Sequence, residues 1–280
     1  MLKKFITTSR YDKPHGIFLL YYPCIWGITL NNINISEVFF LSIIFFFGAA
    51  GMRAAGCIWN DFNDKKFDVK VKRTKSRDIA SGNTKKNEII LFFIINLLIG
   101  TIPLYFLPFK SFVLCLFVIP LIITYPFMKR LTWWPQLWLG INYNWGIIIG
   151  NSSVNENIFV FEIILFYLGC IFWTIAYDTV YGFQDIEDDM KIGVKSTSIK
   201  FKKKPKIFLT TMYIVSFTFW TLSLFLLQKS FFNITFIMFL FFVILYNLFF
   251  LKIDNVKSCH SFFIKNSYFG LFVTLTLISI

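Results

Sequence analysis

Long apolar runs, repeated from Ile17 almost to the end of the chain, leave this backbone few ways to fold. The runs are about 15–22 residues long, close to what a hydrocarbon core of about 30 Å requires. Lipid offers backbone N–H and C=O groups no partners, so such runs fold as helices. Nine candidate helices result, roughly over 15–31, 37–59, 88–107, 110–127, 133–150, 157–177, 207–227, 231–251 and 261–280. The expected fold class is an all-α integral membrane protein, with about nine transmembrane helices in one bundle. Its 280 residues are expected to form a single polytopic domain, 56% hydrophobic in composition. Two connections are long, 60–87 and 178–206, and both lie on one face. The similar layout of helices two to three and six to seven suggests two pseudo-repeated parts. The first run follows positive charges without a small-residue cleavage site, which predicts a retained first helix.

Lys and Arg set the expected orientation. With the N-terminus (Lys3, Lys4, Arg10, Lys13) cytoplasmic, only Lys110 and Lys229 of the 28 basic residues fall outside, and Arg53 lies within a span. That asymmetry follows the positive-inside rule. It also accounts for the net charge of +13 without nucleic acid, because basic loops lie against anionic lipid headgroups. Trp133, Trp134 and Trp138, just after Lys129 and Arg130, fit an interfacial aromatic anchor. The lack of a recognisable targeting presequence favours a bacterial inner membrane over a mitochondrial one.

Two acid-rich segments stand out on the same face. One runs from Asn60 and Asp61 through Asp64 to Asp68; the other runs from Asp178 to Asp185, Glu187, Asp188 and Asp189. Together they hold eight of the 15 acidic residues. If the second helix continues past Asn60, then Asn60, Asp64 and Asp68 advance only ~40° per step and share one face, with Asp61 at its edge. Asp178, Asp185 and Asp189 occupy a similarly narrow arc, with Tyr177 and Tyr181 on an adjacent stripe. Two columns of hard oxygen ligands suit Mg²⁺ bound jointly by carboxylates, substrate phosphates and water. Lys129, Arg130, Arg73, Arg77 and Lys191 are candidate partners for the phosphates. No His or Cys joins the segments, which argues against zinc or haem iron.

Other residues read as structural. The five cysteines are scattered without metal or disulfide spacing. His15 and His260 stand alone at helix ends; Asp254, Glu162 and the Lys202–Lys204 run lie where solvent or headgroups reach. Arg53 differs, because an intramembrane arginine among small residues (Gly51, Ala54, Ala55, Gly56) marks a functional site by default.

At these residues the chain resembles the UbiA-type intramembrane aromatic prenyltransferases. The N-D-x-x-D-x-x-x-D pattern is intact from Asn60 to Asp68, and the D-x-x-x-D pattern is intact at Asp185 and Asp189. The stretches from Met52 to Cys57, Val71 to Thr74, Tyr125 to Arg130, Pro135-Gln136, Ala176 to Thr179 and Lys191 to Thr197 resemble its 4-hydroxybenzoate polyprenyltransferase branch. The resemblance implies a central cavity capped by the two acid-bearing loops. It implies that Asp64, Asp68, Asp185 and Asp189, with Asn60 and Asp61, bind Mg²⁺-diphosphate. It places Arg77 and Lys129 against the diphosphate and Arg53 near the aromatic acid, with Lys13 a weaker candidate. Tyr177 and Lys191 complete the expected substrate-binding set. The implied substrates are polyprenyl diphosphate and 4-hydroxybenzoate, and the implied reaction is C-prenylation ortho to the hydroxyl in ubiquinone biosynthesis.

Two departures from the family pattern bear on this expectation. Where the family often has R-P-L-x-S-G, the chain reads Arg77-Asp78-Ile79-Ala80-Ser81-Gly82, which puts loop rigidity in doubt. The fifth helix carries Asn144-Trp145-Gly146-Ile147-Ile148 without the family's proline, which is expected to straighten it. Sister enzymes acting on haem, a naphthoate or a glycerol phosphate are the main alternatives. A secondary transporter is a more distant one, because its acids belong near the midplane. The sequence identifies no protein partner.

Overall fold

The apolar runs fold as helices, and no strand forms among the residues described by the computed structural model, 1–278. The helices are α1 (Leu2–Thr8), α2 (His15–Thr29), α3 (Ile35–Asp68), α4 (Lys86–Thr101), α5 (Phe109–Leu131), α6 (Pro135–Asn144) and α7 (Gly146–Val154). They continue with α8 (Phe161–Gly182), α9 (Ile186–Ile192), α10 (Thr197–Lys200), α11 (Pro205–Leu226), α12 (Phe231–Phe249) and α13 (Val256–Ile278). Among the described residues, seven stretches are long and apolar enough to cross a membrane: α3, α4 with the turn after it, α5, α8 through α9, α11, α12 and α13.

The expected count of nine is therefore not reached by length and composition. Helix α2 has 15 residues, and the span expected over 133–150 is divided into α6 and α7 at Trp145. At about 1.5 Å per residue, α2 is only about 22 Å long, short of the hydrocarbon thickness. The last expected span begins earlier, at Val256, and its residues 279–280 lie outside the described set.

The α6–α7 break corrects the expectation of a straight helix. Tertiary ties stand where a proline was missing. Asn144 Nδ2 donates to the Gly140 and Cys170 carbonyls and to Thr174 Oγ1, at 2.8–3.2 Å. Trp145 Nε1 donates to the Leu114 carbonyl at 3.0 Å. These bonds hold the end of α6 on α8 and the start of α7 on α5.

Aromatic side chains fill the core. Trp26, Trp173 and Trp220, from α2, α8 and α11, are fully buried, with ring centroids 5.5–6.0 Å apart. Each indole N–H finds an acceptor: Thr274 Oγ1, Asn266 Oδ1 and the Phe166 carbonyl. Burying these rings therefore leaves no donor unpaired. Much of the abundant Phe lies on the outside, as at Phe39, Phe117, Phe239 and Phe249. It does there what Leu would do against lipid.

Small residues allow α2 and α7 to approach closely. A Cβ on Gly27 would lie 2.2 Å from the Ile147 carbonyl oxygen, and one on Gly150 would lie 2.2 Å from that of Cys24. Close backbone approach through small residues is a common packing device between membrane helices. Gly27→Leu is therefore expected to force the two helices apart and destabilise the protein by about 1–3 kcal/mol. A lower thermal unfolding midpoint of the solubilised protein checks this; an unchanged midpoint contradicts the packing.

Candidate active site

Helix α3 contains 34 residues, far more than the ~20 needed to span lipid. Its last turns therefore carry Asn60 to Asp68 beyond the apolar stretch while remaining helical. The second acidic segment is divided: α8 ends at Gly182, a 3₁₀ turn covers Phe183–Asp185, and α9 begins at Ile186. Residues 60–68 and 178–182 are thus helix rather than the loop expected over 60–87 and 178–206. The single helical arc expected for Asp178, Asp185 and Asp189 is also broken. All three nevertheless line one cavity with Asn60, Asp64 and Asp68.

The break is positioned by α10 folding back on α8. A Cβ at Gly182 would meet Ser198 Oγ at 2.4 Å, so a larger residue would displace that hydroxyl. Ser198 Oγ donates to the Thr179 carbonyl at 2.8 Å, and the Thr179 and Thr197 hydroxyls lie 2.6 Å apart. Gln136 Oε1 accepts from the Thr197 N–H at 3.1 Å, and the Lys129 carbonyl accepts from the Lys195 N–H at 2.7 Å. The Lys191-to-Thr197 stretch thereby joins α5, α6 and α8 at the cavity wall. Gly193, at φ +75, supplies the left-handed turn after α9.

The first acidic segment is buried, and each aspartate is paired with a cation. Asp64 is 1% exposed; Lys129 Nζ reaches its Oδ2 at 2.5 Å and Arg130 Nη2 its Oδ1 at 3.3 Å. Arg77 Nη1 donates to Asp68 Oδ2 at 2.9 Å and to Asp61 Oδ1 at 3.1 Å. Arg10 Nη2 donates to both oxygens of Asp61, at 2.5 and 2.7 Å.

Across the cavity, Arg73 Nε donates to both oxygens of Asp185, at 2.8 and 3.0 Å, and its Nη1 donates to the Tyr181 hydroxyl at 2.7 Å. Burial opposes the Arg73 charge, but Tyr181 and Asp185 outweigh it and raise its pKa above the ordinary guanidinium range. The Lys72 N–H donates to Asp188 Oδ2 at 2.8 Å. The loop after α3 thus bridges the two acidic segments. Its rigidity does not need the missing proline: Asp78, in that place, accepts from the Thr7 hydroxyl and ties the loop to α1.

Five carboxylates (Asp64, Asp68, Asp178, Asp185, Asp189) and four cations (Arg73, Arg77, Lys129, Lys195) therefore share one cavity of about 180 Å³. Such a lining suits a ligand carrying both signs, such as a metal-bound anion, better than a bare cation or a bare anion. Among the described residues, no three His, Cys, Asp or Glu side chains gather closely enough to cage a metal by themselves.

Four expected site residues lie away from the cavity lining. Asp61 faces Arg10 and Arg77 instead. Tyr177 is buried in the core, its ring 4.9 Å from that of Trp173, because one residue of helix turns it about 100° from Asp178. Lys191 is exposed at the end of α9, and Lys195 lines the wall instead. Arg53 sits one layer deeper, against Gly16 and 5.9 Å from the Tyr143 ring centroid, with its Nε unpartnered. In the sequence, Arg10 counts only toward the topology charge. Nothing local marks its partner, which lies 51 residues away.

Arg10→Ala would leave Asp61 with Arg77 alone. Breaking such a buried pair is expected to cost about 3 kcal/mol. A lower unfolding midpoint of the full chain checks this, and wild-type stability contradicts the structural role.

Residues 20–274 match the UbiA prenyltransferase family. The chain is 39% identical over 209 residues to the mitochondrial 4-hydroxybenzoate polyprenyltransferase of Drosophila pseudoobscura pseudoobscura, covering 74% of this chain and 53% of that protein. It is 36% identical over 266 residues to the 4-hydroxybenzoate octaprenyltransferase of Pasteurella multocida, covering 94% of this chain and 90% of that one. The chain spans about half the length of several curated relatives it matches. Its fold is similar to that of a UbiA homologue from Archaeoglobus fulgidus, solved bound to DMAPP and Mg²⁺. The TM-score is 0.68 at 16% identity, with 99% of this chain and 100% of that one covered. On the match over 20–274 and on these relatives, the chain is a multi-pass membrane protein that belongs to the UbiA prenyltransferase family.

Proposed function

We propose that this protein transfers a polyprenyl group from polyprenyl diphosphate to the ring carbon ortho to the hydroxyl of 4-hydroxybenzoate. Diphosphate is released, and the reaction is a membrane step of ubiquinone biosynthesis. The observation that carries the reading is the single cavity on which both acidic segments meet Arg73, Arg77, Lys129 and Lys195. The names of the matching relatives support the acceptor. In this reading the chain acts as one membrane domain in a bacterial inner membrane, with the cavity and N-terminus on the cytoplasmic side.

Asn60, Asp64, Asp68, Asp185 and Asp189 would hold Mg²⁺. When bound, the metal supplies Lewis-acid neutralisation of charge on the departing diphosphate oxygens. Arg77 and Lys129 hold Asp68 and Asp64 before substrate enters and offer the same donors to phosphate oxygens afterwards. Asp61 acts differently from the expectation: clasped by Arg10 and Arg77, it positions Arg77 rather than ligating metal.

The allylic C–O bond breaks with both electrons leaving on diphosphate. The ortho carbon of the phenol then forms the new C–C bond, and loss of the ring proton restores aromaticity. Burial of the site keeps water from capturing the allylic cation. The ring of Tyr125, on the cavity wall, is available to its positive charge. The unpartnered Nε of Arg53, beside Tyr143, is the donor proposed for the acceptor's carboxylate.

Purified protein assayed with polyprenyl diphosphate is expected to prenylate 4-hydroxybenzoate; product from haem alone rejects this acceptor. Chelation is expected to abolish turnover and added Mg²⁺ to restore it. Asp64→Ala and Asp189→Ala should each lower kcat at least about 100-fold while the protein still inserts. Wild-type-like rates in either variant refute the metal assignment. Arg53→Ala should raise the KM for 4-hydroxybenzoate about tenfold or more, the cost of one charge-assisted hydrogen bond. An unchanged KM removes Arg53 from that role.

A further inference from the structure

A second cavity, of about 350 Å³, lies at the opposite end of the bundle. Helix α3 reaches it at Ile35 and the acidic cavity at Asp68, so the two are about 50 Å apart. The prenyl-transfer chemistry has no use for it.

Its lining mixes apolar side chains (Ile33, Ile35, Val38, Leu277, Ile278) with asparagines and one cation, Lys229. Two helices begin there: α3 after Asn34, which makes no side-chain cap, and α12 after Ser230, which caps only the Asn233 N–H. Helix starts leave N–H groups unpaired and carry partial positive charge. Lys229 stands between the α11 and α12 ends. Its Nζ donates to two neutral oxygens, the Thr29 carbonyl at 3.2 Å and Asn32 Oδ1 at 3.3 Å. An ammonium has three donors, so one remains. Among the described residues, none that lines the cavity is acidic, and Glu37 in the first turn of α3 is exposed and outside the lining. Burial alone lowers the pKa of Lys229, as expected for a cation without a counter-charge.

Asn233 provides the independent sign of a ligand. It is 3% exposed, lines the cavity, and its Oδ1 has no partner. A buried carboxamide left unpaired costs free energy unless something in the cavity pairs with it. The rim is apolar: Phe231 is 82% exposed and Ile35 61%. A ligand with an anionic head and apolar tails matches both parts.

We infer that this cavity binds the phosphate ester of a phospholipid head group, with Lys229 and the two helix starts facing the phosphate and Asn233 facing a head-group hydroxyl or amine. The site ties the α2, α3 and α12 ends to the leaflet opposite the active site.

Native mass spectrometry of the full chain with added phosphatidylglycerol tests this, with diacylglycerol of the same chains as the uncharged control. A phosphatidylglycerol adduct is expected, weakened at least about tenfold by Lys229→Gln and by Asn233→Leu, which removes the acceptor at similar volume. Lys229 is half-buried at a loop, so its variant is expected to fold, and an unchanged unfolding midpoint checks that. Equal adducts in wild type and both variants, or equal adducts from diacylglycerol, overturn the site. Inorganic phosphate is the soluble arm. If it raises the wild-type midpoint but not the variants', with no lipid adduct, the phosphate site stands and the lipid as its occupant is overturned.

Discussion

Burying carboxylates is costly unless each meets a cation, and the catalytic end of this protein is organised around that requirement. Asp61, Asp64 and Asp68 are nearly inaccessible on the last turns of α3. Their partners come from the N-terminal arm, from the loop after α3 and from the end of α5. Asp185, on the far wall, takes its partner from that same loop. Charge pairing thereby joins these elements at one cavity, beside the small apolar cluster of Ile58, Ile79, Ile89 and Phe92.

The same pairing prepares the site for its substrate. Lys129, Arg77 and Arg73 hold carboxylates that the proposed reaction needs for metal binding. A diphosphate entering with its cation offers oxygens to the guanidinium and ammonium groups and a metal to the aspartates. At Asp64, Asp68 and Asp185 the arrangement exchanges one set of opposite-charge contacts for another. The cavity at the opposite end differs: among the described residues, Lys229 meets only neutral oxygens there and Asn233 Oδ1 has no hydrogen-bond partner.

Much of this was legible in the residues. The period and length of the apolar runs determined that the chain is helical and membrane-bound. The four-residue spacing of Asn60, Asp64 and Asp68 determined that these groups share a face, because helical geometry requires it. The second segment was less legible. Asp178, Asp185 and Asp189 line the same cavity, but across a 3₁₀ turn that helical spacing does not anticipate. Tyr177 was misplaced because a stripe on a helix does not reveal whether it faces cavity or core, and Trp173 and Phe263 claim its ring.

Sequence by itself determined the fold class, the acidic column on α3 and the family, because each depends on local periodicity or on contiguous motifs. Tertiary structure alone decided which cation answers which carboxylate. Arg10 meets Asp61 across 51 residues, and Arg73 meets Asp185 across 112. It also decided that α6 and α7 break without a proline, since hydrogen bonds from Asn144 and Trp145 to neighbouring helices do that work. Pairings of this kind depend on how helices pack, and helix packing leaves no period in the chain.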